Sequence, residues 1–173
     1  MRKYFFLCIT FCLLFSCGDG DLEIETIDFD SVTLQFCTTP SATEKNILFK
    51  INNTEALILE LQSGVLNKGV VGETVVTQSA ISNQSQLTYR IFSDDVAKNY
   101  FCDDIPPAEP VVIDEVEAED GFVTISTTAD EANGNFVHTI TLNEISFITE
   151  SGERITNLSV STFGEVTTAI PAP

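Results

Sequence analysis

Apolar residues in this chain recur at every second position, and that period of two constrains the fold more than any other feature of the sequence. In Ser85 to Ser93, Leu87, Tyr89 and Ile91 share one face while Gln86, Thr88 and Arg90 share the other. Leu57, Leu59 and Leu61 alternate likewise against Ile58 and Glu60. No window of helical length sustains a 3.6-residue period, which rules out a helical bundle.

The alternating runs are separated by turn residues. Asn46 to Ile51 and Ala56 to Leu61 flank Asn52-Asn53-Thr54, which predicts a hairpin whose Asn residues take positive φ. Three more hairpins are expected: Val111–Ala118 with Phe122–Thr127 across Glu119-Asp120-Gly121, the latter with Phe136–Leu142 across Asn133-Gly134, and Ile145–Thr149 with Arg154–Val160 across Ser151-Gly152. The alternation changes phase twice. Ile27 and Phe29 are odd-numbered while Val32, Leu34 and Phe36 are even, and the same slip separates Leu142 from Ile145. A β-bulge, or a strand leaving one sheet for the other, keeps both apolar sets inside.

About ten short strands predict an all-β fold, an antiparallel β-sandwich over residues 24–168; immunoglobulin-like and jelly-roll strand orders both remain open. The one helical candidate is Asp94 to Phe101 behind Ser93 as N-cap. Ser41-Ala42-Thr43-Glu44 matches a capping box, but the residues after it alternate like a strand. The proline-rich segment Asp103 to Pro110 reads as a stiff connection within one domain, since the roughly 60 residues beyond it are near the lower limit for an independent core. Ala169 to Pro173 is expected to fray.

Charge narrows the partners. Eight Lys+Arg against 26 Asp+Glu give a net charge of −18, which argues against nucleic acid because an acidic protein releases no counterions from phosphate. With 43% hydrophobic residues, the acidity belongs to a folded surface and not to a disordered chain.

Met1-Arg2-Lys3 precedes an uncharged run of thirteen residues from Tyr4 to Ser16, the pattern of a signal peptide and too short to span a bilayer, which takes about 20 apolar residues. Leu14-Phe15-Ser16-Cys17 resembles the lipobox of bacterial lipoproteins, although Phe15 is bulkier than the usual residue there. The resemblance implies cleavage after Ser16, acylation of Cys17 and a hold on the lipid bilayer through two or three acyl chains. Gly18-Asp19-Gly20-Asp21-Leu22-Glu23 then forms an acidic tether. It resembles the export signal of lipoproteins in the Bacteroidota, which implies attachment at the outer membrane facing the cell exterior; attachment facing the periplasm is the alternative. Loss of Arg2 and Lys3 with the leader would leave a net charge of −20.

Cleavage and acylation would remove Cys8, Cys12 and Cys17 from consideration, leaving Cys37 and Cys102. A single disulfide between them is expected in an oxidising compartment, with two buried thiols as the alternative. No zinc site is expected from two cysteines without a nearby His, no loop has EF-hand spacing, and no cofactor is implied. His138 alternates with Phe136, Ile140 and Leu142, so a packed, hydrogen-bonded role is expected for it. No Ser lies in a Gly-x-Ser-x-Gly context, which leaves no sign of a nucleophilic triad. Asp30-Ser31-Val32 resembles the O-glycosylation acceptor of the Bacteroidota, which marks Ser31 as a candidate modification site. Beyond the leader the chain has no Trp and only Tyr89 and Tyr100, a thin supply of sugar-stacking rings. The expected function is that of a membrane-anchored, non-catalytic envelope lipoprotein whose acidic sandwich binds a protein or glycan, adheres, or serves a complex. The alternative is an envelope hydrolase working through a carboxylate pair such as those within Asp114 to Asp120.

Overall fold

A computed structural model describes residues 27–149, 152, 154–156, 158–159 and 162–171. The leader, Cys17 and the acidic tether lie outside the described residues. The described chain is all-β: β1 (Ile27–Asp28), β2 (Gln35–Phe36), β3 (Asn46–Asn52), β4 (Glu55–Leu61), β5 (Val75–Ala80), β6 (Gln86–Phe92), a single helical turn α1 (Asn99–Cys102), β7 (Val112–Asp130), β8 (Asn135–Ile148), β9 (Arg154–Ile155), β10 (Leu158–Ser159) and β11 (Thr162–Ala169).

Two of these strands are long, and they generate the sandwich. The first part of β7 pairs with β6, from Phe92↔Val112 to Thr88↔Glu117; the second part pairs with β5, from Ala80↔Phe122 to Val75↔Thr127. β5 and β6 therefore lie end to end along one edge of β7, and β8 holds the other edge from Ala118↔Phe147 to Asp130↔Asn135. β7 bends where its register shifts, between Ala118 and Phe122, and so belongs to both layers. One layer runs β2-β3-β4-β6 into the start of β7, and the other contains β5, the end of β7, β8 and β11. All pairings in these layers are antiparallel, while β1 and β10 form a separate parallel pair.

The bend corrects one sequence expectation. Glu119-Asp120-Gly121 does not turn a hairpin; it is the corner of a continuous 19-residue strand. Gly121 sits at φ +121, and a Cβ there would lie 2.7 Å from Ile145 Cδ1 and 2.9 Å from the Asn143 carbonyl. Residues that commonly make turns here permit a bulge, because a strand that switches layers needs the same conformational freedom. The matching slip between Leu142 and Ile145 is the expected bulge, with Glu144 at φ 56, inside a continuous β8. Near Asp30-Ser31 the phase changes at a tight turn, where the Val32 N–H donates to the Phe29 carbonyl at 3.2 Å. Ile27 and Phe29 are buried, and Val32, Leu34 and Phe36 pack against the same core.

The hairpin of β3 and β4 forms as expected with Asn53 at φ 54, and so does that of β7 with β8; of the expected arm Arg154–Val160, Arg154–Ile155 pairs with β8 while Leu158–Ser159 pairs in parallel with β1. The expected helix shrinks to α1. Ser93 is not an N-cap, since its Oγ accepts from the Val111 N–H at 3.0 Å, and the Val96 N–H donates to the Asn53 carbonyl at 2.9 Å. Bonds to neighbouring strands thus take the groups that a first helical turn would use. The chain beyond the prolines joins the existing sheet through β7. Fraying does not begin at Ala169, which pairs with Asn135, and the Ile170 N–H donates to the Gly134 carbonyl.

The main core lies between the layers: Leu57, Leu59, Leu87 and Tyr89 from one face Val123, Ile125, Ile140 and Phe147 from the other. A smaller cluster covers part of the outer face of the first layer, where Phe49, Ile58 and Phe92 meet Val96, Tyr100 and Phe101. Phe49 and Phe101 stack with ring centroids 4.6 Å apart.

Candidate functional site

Cys37 and Cys102 form a disulfide with their Cα atoms 5.2 Å apart. It ties the end of β2 to α1, beside the small aromatic cluster. Ser31 lies exposed in the turn after Phe29, so an enzyme would reach its hydroxyl there.

His138 is fully buried on β8, where Nδ1 and Nε2 each lie 2.8 Å from a hydroxyl, of Thr127 and Thr168 respectively. Burial pushes the imidazole pKa below its usual value, because a charged ring would leave water for a site holding only two hydroxyls. This is the packed role expected from the sequence. Lys50 was not singled out by its pattern, yet it is 98% buried on β3, where Leu48 and Lys50 point the same way into the core. Its Nζ donates to the Phe29 carbonyl at 2.9 Å and stands 5.7 Å from the Phe163 ring centroid. Burial lowers the Lys50 pKa, and the nearby Asp30 carboxylate opposes that shift.

The corner where β7 and β8 bend carries two further features. A cavity of about 400 Å³ is lined by Asp120, Leu142, Glu144, Ser146, Arg154 and Thr156. Ser146 Oγ is buried and has no hydrogen-bond partner among the described residues. Asp120 and Ser146 are register partners across the bulge, and the Asp120 carboxylate accepts from the Gly121 N–H at 2.8 Å. Among the described residues no three His, Cys, Asp or Glu side chains are grouped to hold a metal ion.

The second feature is an open strand edge. β8 pairs with β7 only as far as Phe147, and the Gly152 N–H then donates to the Thr149 carbonyl as the chain reverses into β9. Among the described residues nothing pairs with this edge of β7 from Val112 to Val116. Val111, Val112 and Ile113 are 47%, 38% and 63% exposed. Beyond them Asp114, Glu115, Glu117 and Glu119 are exposed, and a groove of about 430 Å³ is lined by Glu115, Glu117, Glu119, Ile148 and Ser82. Arg90 pairs with Glu115, and Lys45 pairs with Glu60 two strands away. Glu117 and Glu119 have no ion pair among the described residues. The sequence shows these carboxylates, but its turn signal at Asp120-Gly121 predicts that the segment is one arm of a short hairpin, an arrangement in which this edge is hidden.

No helix among the described residues is long and apolar enough to cross a membrane. Comparison with protein-family models, curated proteins and solved structures returns no match.

Proposed function

We propose that this chain is a membrane-anchored, non-catalytic envelope lipoprotein that presents an acidic β-sandwich as a binding module at the outer membrane. The observation that carries the reading is the run from Met1 to Cys17: a basic start, an apolar stretch too short to span, and Leu14-Phe15-Ser16-Cys17 at its end. The disulfide between Cys37 and Cys102 supports an oxidising compartment, and the exposed turn at Ser31 supports glycosylation there. Acylation is tested by feeding expressing cells a clickable palmitate analogue. The parent should take up label and sediment with membranes, and Cys17→Ala should do neither; a labelled Cys17→Ala chain would refute the anchor. Protease shaving of intact cells then separates an exterior domain, which is digested, from a periplasm-facing one, which is protected.

A second reading, a hydrolase working through two carboxylates, is favoured by the presence of Asp120 and Glu144 on one cavity. Its test is turnover of a panel of glycoside substrates, with loss in both Asp120→Asn and Glu144→Gln.

A further inference from the structure

We propose that the open edge of β7 is a docking site for an extended, basic peptide segment of a partner protein, which adds to the sheet as a strand beside Val111 to Val116, short of the point where β8 takes that edge at Ala118. The inference deepens the binding-module reading and rests on it, but it does not depend on the lipid anchor. In a strand, alternate residues direct their N–H and C=O groups to opposite edges. β6 takes one set from this part of β7, and β8, which would take the other, turns away after Thr149. An edge of this kind offers main-chain hydrogen bonds to any strand laid against it.

The side chains decide which strand that is. Natural edges are blunted by charged side chains, by Pro or by a covering loop; here Pro110 and the carboxylates from Asp114 onward do so against unselective pairing, while three apolar residues, Val111, Val112 and Ile113, stay exposed. Just past the end of the open edge, Glu117 and Glu119 line the adjoining groove with no cation against them among the described residues, and Arg90 pairs with Glu115. A second copy of this chain is a poor occupant, since an antiparallel pair of β7 edges would bring Asp114 and Glu115 up to the same carboxylates. A strand with Lys or Arg at alternate positions and apolar residues toward one end meets both halves of the surface. Charge then selects the partner and speeds its arrival, while the backbone supplies much of the holding.

The test uses the full chain in detergent and a fluorescent, end-capped ten-residue peptide alternating Lys with Val, read by anisotropy. The Lys peptide should bind at least about tenfold more tightly than its Glu counterpart, and weaken about tenfold between 50 mM and 500 mM salt. The double variant Glu117→Lys/Glu119→Lys should lose binding by a similar factor while its circular dichroism stays that of the parent. Two N-methylated peptides, blocked at one or the other alternate set of amides, distinguish strand addition from simple charge attraction. Loss confined to one set supports the proposal, and equal binding by both overturns it. Absence of binding at 1 mM Lys peptide overturns it also, as does a concentration-dependent dimer that Ile113→Lys abolishes, which would seat a second copy on the edge. Palmitate labelling reads the anchor separately, so failure of either test leaves the other standing.

Discussion

Replacing both Cys37 and Cys102 with Ala tests how far the sandwich depends on a covalent tie outside its main core. The bond joins residues 65 apart in sequence, and closing a loop of that size removes chain entropy worth about 4 kcal/mol from the unfolded state. Packing adds little to that figure, because Cys37 is exposed and Cys102 only half-buried at the margin of the cluster around Phe49. With an m-value of about 2 kcal/mol/M for a domain of this size, the urea midpoint should fall by roughly 2 M. Far-UV circular dichroism is the suitable probe, since the chain has no Trp. The m-value should also rise, because the uncrosslinked unfolded chain exposes more surface. A loss below about 1 kcal/mol with an unchanged m-value would refute the reasoning. It would mean that the unfolded chain already holds Cys37 near Cys102 without the bond.

Three further outcomes are expected. His138 is the only histidine and its folded-state pKa is depressed, so the unfolded state binds more protons just below pH 6.5. Stability is therefore complete above that value and falls on acidification, by up to about 1.4 kcal/mol per pH unit, in urea titrations between pH 7 and 5.5; His138→Gln should flatten the slope. Gly121→Ala should cost at least about 2 kcal/mol by thermal unfolding, because it combines φ +121 with a Cβ 2.7 Å from Ile145 Cδ1, while Glu144→Gly at φ 56 should stay within about 0.5 kcal/mol of the parent. Phe147→Ala removes a fully buried ring where the two layers meet and should cost about 3–5 kcal/mol, read from the same melts.

The parts of the fold written in local pattern were legible. The hairpin of β3 and β4 followed from alternation on both sides of Asn53, and the inward face of Tyr89 from its neighbours Leu87 and Ile91. The disulfide followed from counting thiols. What failed was every inference in which a tertiary bond competes with a local signal. Asp120-Gly121 is a turn dipeptide by composition and a strand corner in fact, because β6 holds one edge of β7 before it, from Val112 to Glu117, and β5 after it, from Phe122 to Thr127. Val96, Tyr100 and Phe101 have helix-like spacing, but they reach the cluster at Phe92 from a mostly non-helical loop. The corner cavity and the open edge were less legible still, since both depend on where β8 stops. The one trace of them in the sequence was the phase slip between Leu142 and Ile145.

A strand shared by two layers also sets a clock on folding. Val75 meets Thr127 and Thr88 meets Glu117, so neither β5 nor β6 finds its β7 partner until the ribosome has released chain far beyond them. At about 5–20 residues per second, the wait between making Val75 and making Thr127 is roughly 3–10 s. Until then β3, β4 and β6 can pair and Val96, Tyr100 and Phe101 can cover part of their outer face, but the inner face with Leu57, Leu59 and Leu87 lacks the Val123, Ile125 and Ile140 that pack on it in the finished fold. Neither layer can serve as a finished template for the other, and the nascent chain must be kept from aggregating until its middle strand arrives.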